Sequence, residues 1–520
     1  MKMPPLSYKY SETSIRFLIF LSILGLFLYP ILHGNFYYPD DYYRSATGDI
    51  SCTQTGRFLA QLIFITINAS NIAYDLSPLL QVLAIIFLSF SLASLSLKWK
   101  LNRTSSALAL SLTVCTPFFL QDLSYRFDSL TISMALSCII WFFILEKTFT
   151  SSYKKILFKS ILLLAALNLY QPTLNTFLIF SITESLFILY DKNARYSIRS
   201  LVANILYLPI PLIIYKCEVI FRKDESYASL HAQFTHNSFI ILNNIRKLLK
   251  YAFLEFGIHG GGLEILLGIF LIIGVTNLLY TFYKKGKLPY LSLSLFYIIL
   301  SICSLAGFLS LLRYPVFDMR VFIANGAFLS IFMLFFIGRG ASFQKTPIKI
   351  LLASWVLLIQ MTFSTQWGNA IAAQTELNEA IASNIVNDIY ILSKQRPVFI
   401  RIEAQHKTVN NITTIATQTD DGILDVPVPF ITKKIWLARR AIFDHNVIYD
   451  PLGEFILKKH DLQSNATYFR SIDESPQFPF ALAQSIYEHC SYEAMRANRY
   501  YNIYKKGSYI LVDFSHKCNE

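Results

Sequence analysis

Charged side chains are scarce in this chain: Asp, Glu, Lys and Arg make up 15% of its 520 residues, against about 25% in soluble domains. So little charge does not suit a water-soluble fold. With 54% hydrophobic residues and a mean hydropathy of +0.44, the composition is that of a polytopic membrane protein. Also missing is any basic patch interleaved with an RNA-binding signature. The formal net charge of +13 is therefore read loop by loop, and nucleic acid is not an expected partner. The cysteines include no C-x-x-C pair and no zinc-type spacing. His231 and His236, with Asp224 and Glu225, share a loop but lack recognisable metal-ligand spacing. Gly260, Gly261 and Gly262 follow no strand and match no phosphate loop, so they read as a flexible loop end. No A-x-A-like cleavage site follows the first apolar run, Phe17 to Leu32, which is preceded by Lys2, Lys9 and Arg16. That run reads as a retained first helix entering from the cytoplasm. Short solenoid-type repeats are absent.

What the chain has is apolar runs. A hydrocarbon core of ~30 Å takes ~20 mostly apolar residues per helix. Runs of that length, or slightly shorter, lie near 14–33, 76–97, 106–121, 129–149, 156–170, 173–190, 199–220, 262–283, 288–312, 316–337 and 348–366. About eleven membrane helices are expected. Phe58 to Ile72 is interrupted by Gln61, Asn68 and Asn71 and reads as an interfacial or re-entrant helix. Lys and Arg crowd alternate loops: Lys98, Lys100 and Arg103; Lys147, Lys154, Lys155 and Lys159; Lys192, Arg195 and Arg199; Lys284, Lys285 and Lys287; Arg339, Lys345 and Lys349. The opposite loops hold far fewer, which places the N-terminus inside and the stretch Tyr37–Arg57 outside. An odd number of crossings puts the C-terminus outside as well.

Composition changes near Gln366, so the expected division is a membrane domain over 1–366 and a soluble α/β domain over 367–520. In the second, Asn369–Leu392 has the pattern of an amphipathic helix, and Pro397–Ala404 and Gly507–Phe514 read as strands. Cys490 and Cys518 both fall in this tail, and in an oxidising compartment they suggest a disulfide.

The candidate chemistry lies in the outer loops. Asp40 and Asp41 follow the first apolar run, with Arg44 one helical turn later and Arg57 before the next apolar segment. A carboxylate at the membrane edge suits a general base, although Pro-Asp-Asp is equally good turn chemistry. Arg44, Arg57, Arg126, Arg313 and Arg320 all fall on the outer side, several beside an acid: Asp41, Asp128 or Asp318. Guanidinium groups bind a phosphate bidentately and stay charged; the alternative is that each pairs with its local acid and holds a loop. Tyr37, Tyr38, Tyr42 and Tyr43 could stack on a sugar or form an interfacial belt. Tyr170-Gln171-Pro172 is a polar tip between two apolar runs, suited to sugar hydroxyls or to a plain turn.

These residues together resemble a family. The motifs are Asp40-Asp41-x-x-Arg44 after a first helix, Gly56-Arg57, Arg126-Phe-Asp128-Ser-Leu, Leu169-Tyr-Gln171-Pro, and Arg320-Val321 opening a late helix. In this order they resemble the serotype-converting O-antigen glucosyltransferases, the Gtr type II group of enteric bacteria and their prophages. The resemblance implies a GT-C-like membrane glycosyltransferase of the bacterial inner membrane with its C-terminal domain in the periplasm. It implies an undecaprenyl-phosphate-linked sugar donor, most readily glucose, and an O-antigen (lipopolysaccharide) acceptor. It also implies an acidic residue of the first outer loop, Asp40 or Asp41, as the base. No cofactor is expected, and the sequence does not set a metal requirement. An O-antigen polymerase, a ligase or another lipid-linked sugar transferase is the alternative within the class. A flippase or transporter is the alternative outside it, and would be expected to show midplane charges and inverted repeats.

Overall fold

The run expected as one span over 106–121 is broken, and the break shapes everything around it. Helix α1 (Leu6–Gly34), α2 (Pro39–Thr47), α3 (Phe58–Asn68) and α4 (Leu79–Lys98) precede it. Helix α5 (Arg103–Leu110) then ends in a 3-10 turn over Ser111–Thr113, and α6 restarts at Pro117 and runs to Ser124. Proline has no N–H to continue a helix and pushes the preceding residue to extended backbone. Thr116 adopts that conformation (φ −142°, ψ 156°), and its Oγ1 accepts the Phe119 N–H at 3.5 Å. The two pieces meet at 65°. Next come α7 (Ser129–Ile144), α8 (Ser152–Leu169), α9 (Thr173–Asp191), α10 (Ala194–Ile205), α11 (Pro209–Phe221) and α12 (Ser238–Lys250). Helices α13 (Gly262–Ala306), α14 (Ala324–Ile337) and α15 (Pro347–Ser393) complete the helical part. The computed structural model describes residues 6–50, 52–145, 151–221, 233–252, 262–337, 347–393, 399–403, 486, 489–507, 509–513 and 518.

Among the described residues, seven helices are long and apolar enough to cross a membrane, or eight if the bent α5–α6 pair counts as one. The difference from eleven runs has local causes. The runs 262–283 and 288–312 lie on one 45-residue helix that continues through Pro289. Helix α7 has 16 residues, short for a span. Phe58–Asn68, outside the eleven runs, is an 11-residue helix, too short for a span, in keeping with its reading as an interfacial or re-entrant helix. The chain divides into two compact units: unit 1 holds 1–32 and 49–365, unit 2 holds 33–48 and 366–520.

In unit 1, α7 packs against α4, α8 and α9, and α9 against α10, α13 and α14. Helix α14 is apolar all round and buried along nearly its whole length, as an apolar helix inside a bundle must be. It lies so close to the 3-10 turn that a Cβ on Gly326 would press on the Thr113 carbonyl and come within 2.7 Å of that of Leu112. The Thr113 and Ser330 hydroxyls hydrogen-bond across the contact at 3.0 Å. Ile213, Ile214 and Ile220 of α11 and Leu351, Trp355 and Leu358 of α15 are exposed, as lipid-facing side chains are. Charge at the Lys/Arg-rich end is paired: Glu12 binds both the buried Arg16 and the exposed Arg103, and Arg16 reaches Ser96 at 3.0 Å.

Unit 2 pairs α2 and the later part of α15 with a sheet of strand order β1-β4-β3-β2. The strands are β1 (Phe399–Glu403), β2 (Ala494–Ala497), β3 (Asn502–Lys506) and β4 (Tyr509–Asp513). Strand β1 runs parallel to β4 (Phe399 opposite Tyr509), and β3 antiparallel to both β4 and β2. Alternation along the strands sends Ile503, Ile510 and Val512 into one core with Ile381, Ile385 and Ile389 of α15 and Tyr42 of α2. Tyr504 and Leu511 face the other side, with Ile486. Tyr501 donates its hydroxyl to Asp388 at 2.9 Å, and Arg496 pairs with the same carboxylate at 2.8 Å. Cys490 and Cys518 are joined by a disulfide, with Cα atoms 5.6 Å apart. Tyr38 and Tyr42 are almost wholly buried, Tyr38 stacked on Trp367 at 6.4 Å and Tyr42 in the core, so they do not form an interfacial belt.

The close approach at Gly326 gives a stability test. Gly326→Ala is expected to cost about 1–3 kcal/mol by overpacking α14 against the 3-10 turn. A lowered melting temperature of the detergent-solubilised protein would show it, and an unchanged one would mean that α14 can shift freely.

Candidate active site

The outer-loop residues singled out in the sequence divide between the two units. Asp40, Asp41, Tyr43 and Arg44 lie on α2 in unit 2. Pro39 opens that helix, and a capping box closes its start: the Tyr38 N–H donates to Asp41 Oδ2 at 3.0 Å. Asp41 is fully buried and Asp40 is exposed. Gly48, in the left-handed conformation (φ 71°), ends the helix by donating to the Arg44 carbonyl.

Arg57, Arg126, Asp128, Tyr170, Gln171, Arg313, Asp318 and Arg320 lie in unit 1. Arg57 is delivered by a 3-10 turn over Thr53–Thr55 that closes at Gly56 (φ 72°). The turn is held from outside. Gln171 donates its amide to the carbonyls of Thr55 (3.3 Å) and Gly56 (3.2 Å) and to the Tyr215 hydroxyl (2.7 Å). Tyr215 in turn donates to the Gly56 carbonyl at 3.2 Å. A Cβ at position 56 would collide with the Tyr215 hydroxyl, so glycine is required there for both space and φ. Gln171 is thereby engaged in placing Arg57. The Arg57 guanidinium lies 4.8 Å from the Tyr170 ring centre, a cation–π contact, and 3.7 Å from Asp128 Oδ1. Its buried Nε has no hydrogen-bond partner among the described residues.

Two more guanidiniums belong to the same neighbourhood. The turn between α6 and α7 carries Tyr125, Arg126 and Asp128. Arg126 pairs with Asp75, just before α4, at 2.6 Å. Arg320, on a 3-10 turn over Met319–Phe322, pairs with Asp318 at 3.1 Å and donates to the Tyr125 hydroxyl at 2.7 Å. Its backbone is pinned on both sides: the Arg320 N–H donates to Gln121 at 2.7 Å, and the Tyr170 hydroxyl donates to its carbonyl at 3.1 Å. Burial, with Asp122 nearby, holds the Tyr170 phenol well above the usual tyrosine range, so it stays protonated and donating. Arg313 is exposed, its guanidinium over the ring of Tyr314 and its backbone N–H bonded to the Gln233 carbonyl.

Sequence reading does not single out Asp75, Asp122, Tyr125 or Tyr215. Asp122 sits one residue past the apolar run 106–121, and that is its only signal. It is completely buried, and its electrostatic neighbours are Arg320, Asp318, Arg57 and Tyr170. Tyr215, one aromatic in an apolar helix, carries no signal at all. Among the described residues no group of three His, Cys, Asp or Glu side chains could hold a metal. His236 is exposed, and His231, Asp224 and Glu225 lie outside the described residues. Chemically, the cluster offers guanidiniums for an anion, a neutral phenol, and carboxylates beside them.

The family model described as Glucosyl transferase GtrII matches residues 28–334, a stretch that includes all three clustered arginines. A protein of Salmonella phage P22, described as an uncharacterized 55.3 kDa protein in the gtrB 5' region, is 28% identical over 462 residues, which cover 84% of this chain and 91% of that one. No solved structure matches. The match runs through the helical unit and over more than half of the chain, and this multi-pass membrane protein therefore belongs to the GtrII glucosyl transferase family.

Proposed function

We propose that the chain transfers glucose from an undecaprenyl-phosphate-linked donor to O-antigen on the periplasmic face of the bacterial inner membrane. The observation that carries this reading is the cluster of Arg57, Arg126 and Arg320, drawn from three distant segments to linked positions in one unit. Charge kept at helix ends in an apolar protein is costly and marks function. An anionic group on a lipid is the ligand such a cluster suits, because guanidiniums grip phosphate oxygens in pairs. The cluster sits at the Lys/Arg-poor ends of the helices. Glu12, Arg16, Arg103 and Lys159 mark the Lys/Arg-rich ends, which supports a periplasmic site. Exposed apolar faces on α11 and α15 suit a polyprenyl chain arriving through the bilayer.

In the reaction the acceptor hydroxyl attacks the anomeric carbon and the lipid phosphate leaves with the bonding electrons. The guanidiniums stabilise the charge that gathers on the leaving oxygen. A single displacement inverts the anomeric centre. A carboxylate must take the hydroxyl proton, and in the first outer loop Asp40 and Asp41 are the candidates. Asp40 is the more accessible of the two, since Asp41 is buried and accepts the Tyr38 N–H. The soluble part, 367–520, lies on the periplasmic side in this reading.

Arg57→Lys and Arg126→Lys are each expected to raise the donor KM about tenfold or more, because a point charge replaces a bidentate fork. Transfer of labelled glucose from the lipid-phosphate donor in membranes measures this, and unchanged KM values would return both arginines to purely structural ion pairs. Asp40→Asn and Asp41→Asn, tested separately, should lower transfer by about a hundredfold in at least one case if the first loop supplies the base. Wild-type rates in both would remove that assignment.

A further inference from the structure

The cluster in unit 1 contains four carboxylates among the described residues, and they are not equivalent. Asp128 is held by Arg57, Asp75 by Arg126 and Asp318 by Arg320. Asp122 is different. It is fully buried on α6 and, among the described residues, ion-paired to no guanidinium; the Tyr170 hydroxyl lies against it without closing a well-formed hydrogen bond. Buried polar groups are nearly always satisfied, and an exception at a cluster of charged groups calls for a functional reason. Core packing gives none, since an asparagine or leucine would fit an apolar environment at less cost.

Its placement is rigid. Gln121, the preceding residue, is bonded to the Arg320 backbone, and Pro117 with the Thr116 cap fixes where α6 begins. The charged and titratable groups facing Asp122 are Arg320 and Asp318 from the 3-10 turn, Arg57 from the loop before α3, and Tyr170 from the α8–α9 turn. The Tyr170 proton is already given to the Arg320 carbonyl. The carboxylate thus feels two of the guanidiniums assigned to the donor phosphate, Arg320 and Arg57, and is ion-paired to neither among the described residues. Arg320 and Asp318 have side chains 22% and 23% exposed, so the cluster opens towards water on that side.

We propose that Asp122, in place of Asp40 or Asp41, is the catalytic base of the transfer, a role that rests on the glycosyltransferase reading above. The acceptor O–H approaches from the Arg320–Asp318 side. Its oxygen bonds to the anomeric carbon while the bond from that carbon to the phosphate oxygen breaks. The electron pair leaves on the lipid phosphate, and the hydroxyl proton passes to a carboxylate oxygen of Asp122. A carboxylate without an ion pair suits this step better, because a guanidinium partner stabilises the charged form and weakens the carboxylate as a base.

The test uses the full-length protein in membranes with lipid-phosphate-glucose as donor and O-antigen as acceptor. Asp122→Asn should lower kcat by about a hundredfold or more, leave the donor KM within about threefold, and abolish the fall in kcat at low pH that protonation of the base produces. A raised donor KM with kcat intact would make Asp122 only a holder of the arginines and overturn the proposal. So would a low-pH limb that persists in the residual activity. Asp122→Glu keeps the carboxylate and decides the matter if the Asn variant fails to accumulate. Transfer with a displaced low-pH limb supports the role, whereas no transfer from normally inserted protein, or an unmoved limb, overturns it. Unchanged donor KM values in Arg57→Lys and Arg126→Lys would sink the phosphate assignment while leaving the Asp122 result standing. A wild-type chain that moves no glucose from this donor would sink the functional reading itself.

Discussion

A guanidinium can sit at the edge of a membrane protein only if something nearby compensates its charge, and in unit 1 that constraint is met by pairing across the sequence. Arg57 meets Asp128, Arg126 meets Asp75, and Arg320 meets both Asp318 and the Tyr125 hydroxyl. Leaving any of these charges alone in a dry environment would cost several kcal/mol, whereas a formed pair roughly breaks even against apolar packing. The pairs therefore contribute little net stability. Their effect is registry: the segments around Arg57, Asp75, Tyr125–Asp128 and Arg320 are locked together because each arginine has a specific partner elsewhere in the chain, for Arg320 the Tyr125 hydroxyl.

The registry depends on small groups around it. Gly56 turns the chain where no side chain fits, Gln171 and Tyr215 grip the turn, and Arg57 is aimed at the Tyr170 ring. The Tyr170 hydroxyl in turn fixes the Arg320 carbonyl. One residue, Tyr170, thus touches two of the three guanidinium positions, once through its ring and once through its hydroxyl. The break at Thr116-Pro117 serves the same end, since it stops an apolar run and starts a short helix that carries Gln121 and Asp122 into the cluster.

Much of this is legible in the sequence, and the limits have physical causes. Membrane character follows from composition, and the uneven Lys/Arg loops already group Arg57, Arg126 and Arg320 together. The pairing of Arg320 with Asp318, two residues away, is legible; the partners of Arg57 and Arg126 are not, because helix packing decides them: Asp75 lies 51 residues from Arg126. Asp122 escapes notice because hydropathy sees one acid at the end of a run, while its meaning comes from neighbours 48 to 198 residues away. Tyr38 and Tyr42 look like interfacial tyrosines by position, yet Trp367 and the isoleucines of α15 offer them a core. The span count drifts for a related reason. A hydropathy window cannot tell a proline that breaks a helix, Pro117, from one that a long helix carries, Pro289.

At first sight the same ion pairs forbid a phosphate, since every clustered arginine already faces a carboxylate. Geometry resolves the conflict. A guanidinium has five N–H donors, and a single carboxylate does not occupy the whole of that fork. Arg57 is the clearest case: its one pair is long, at 3.7 Å, and its Nε lacks a partner among the described residues. The partners also differ in freedom. Asp128 is 4% exposed and cannot move into water, whereas Asp75 and Asp318 are 24% and 23% exposed. An arriving phosphate could therefore add to Arg57 without displacing anything, and exchange with Asp75 or Asp318, whose carboxylates have water to turn to. In the proposed reaction the exposure of each acid sets its part: the partly exposed ones yield their arginines, Asp128 keeps Arg57 in place, and Asp122 stays beside the phosphate to take the proton.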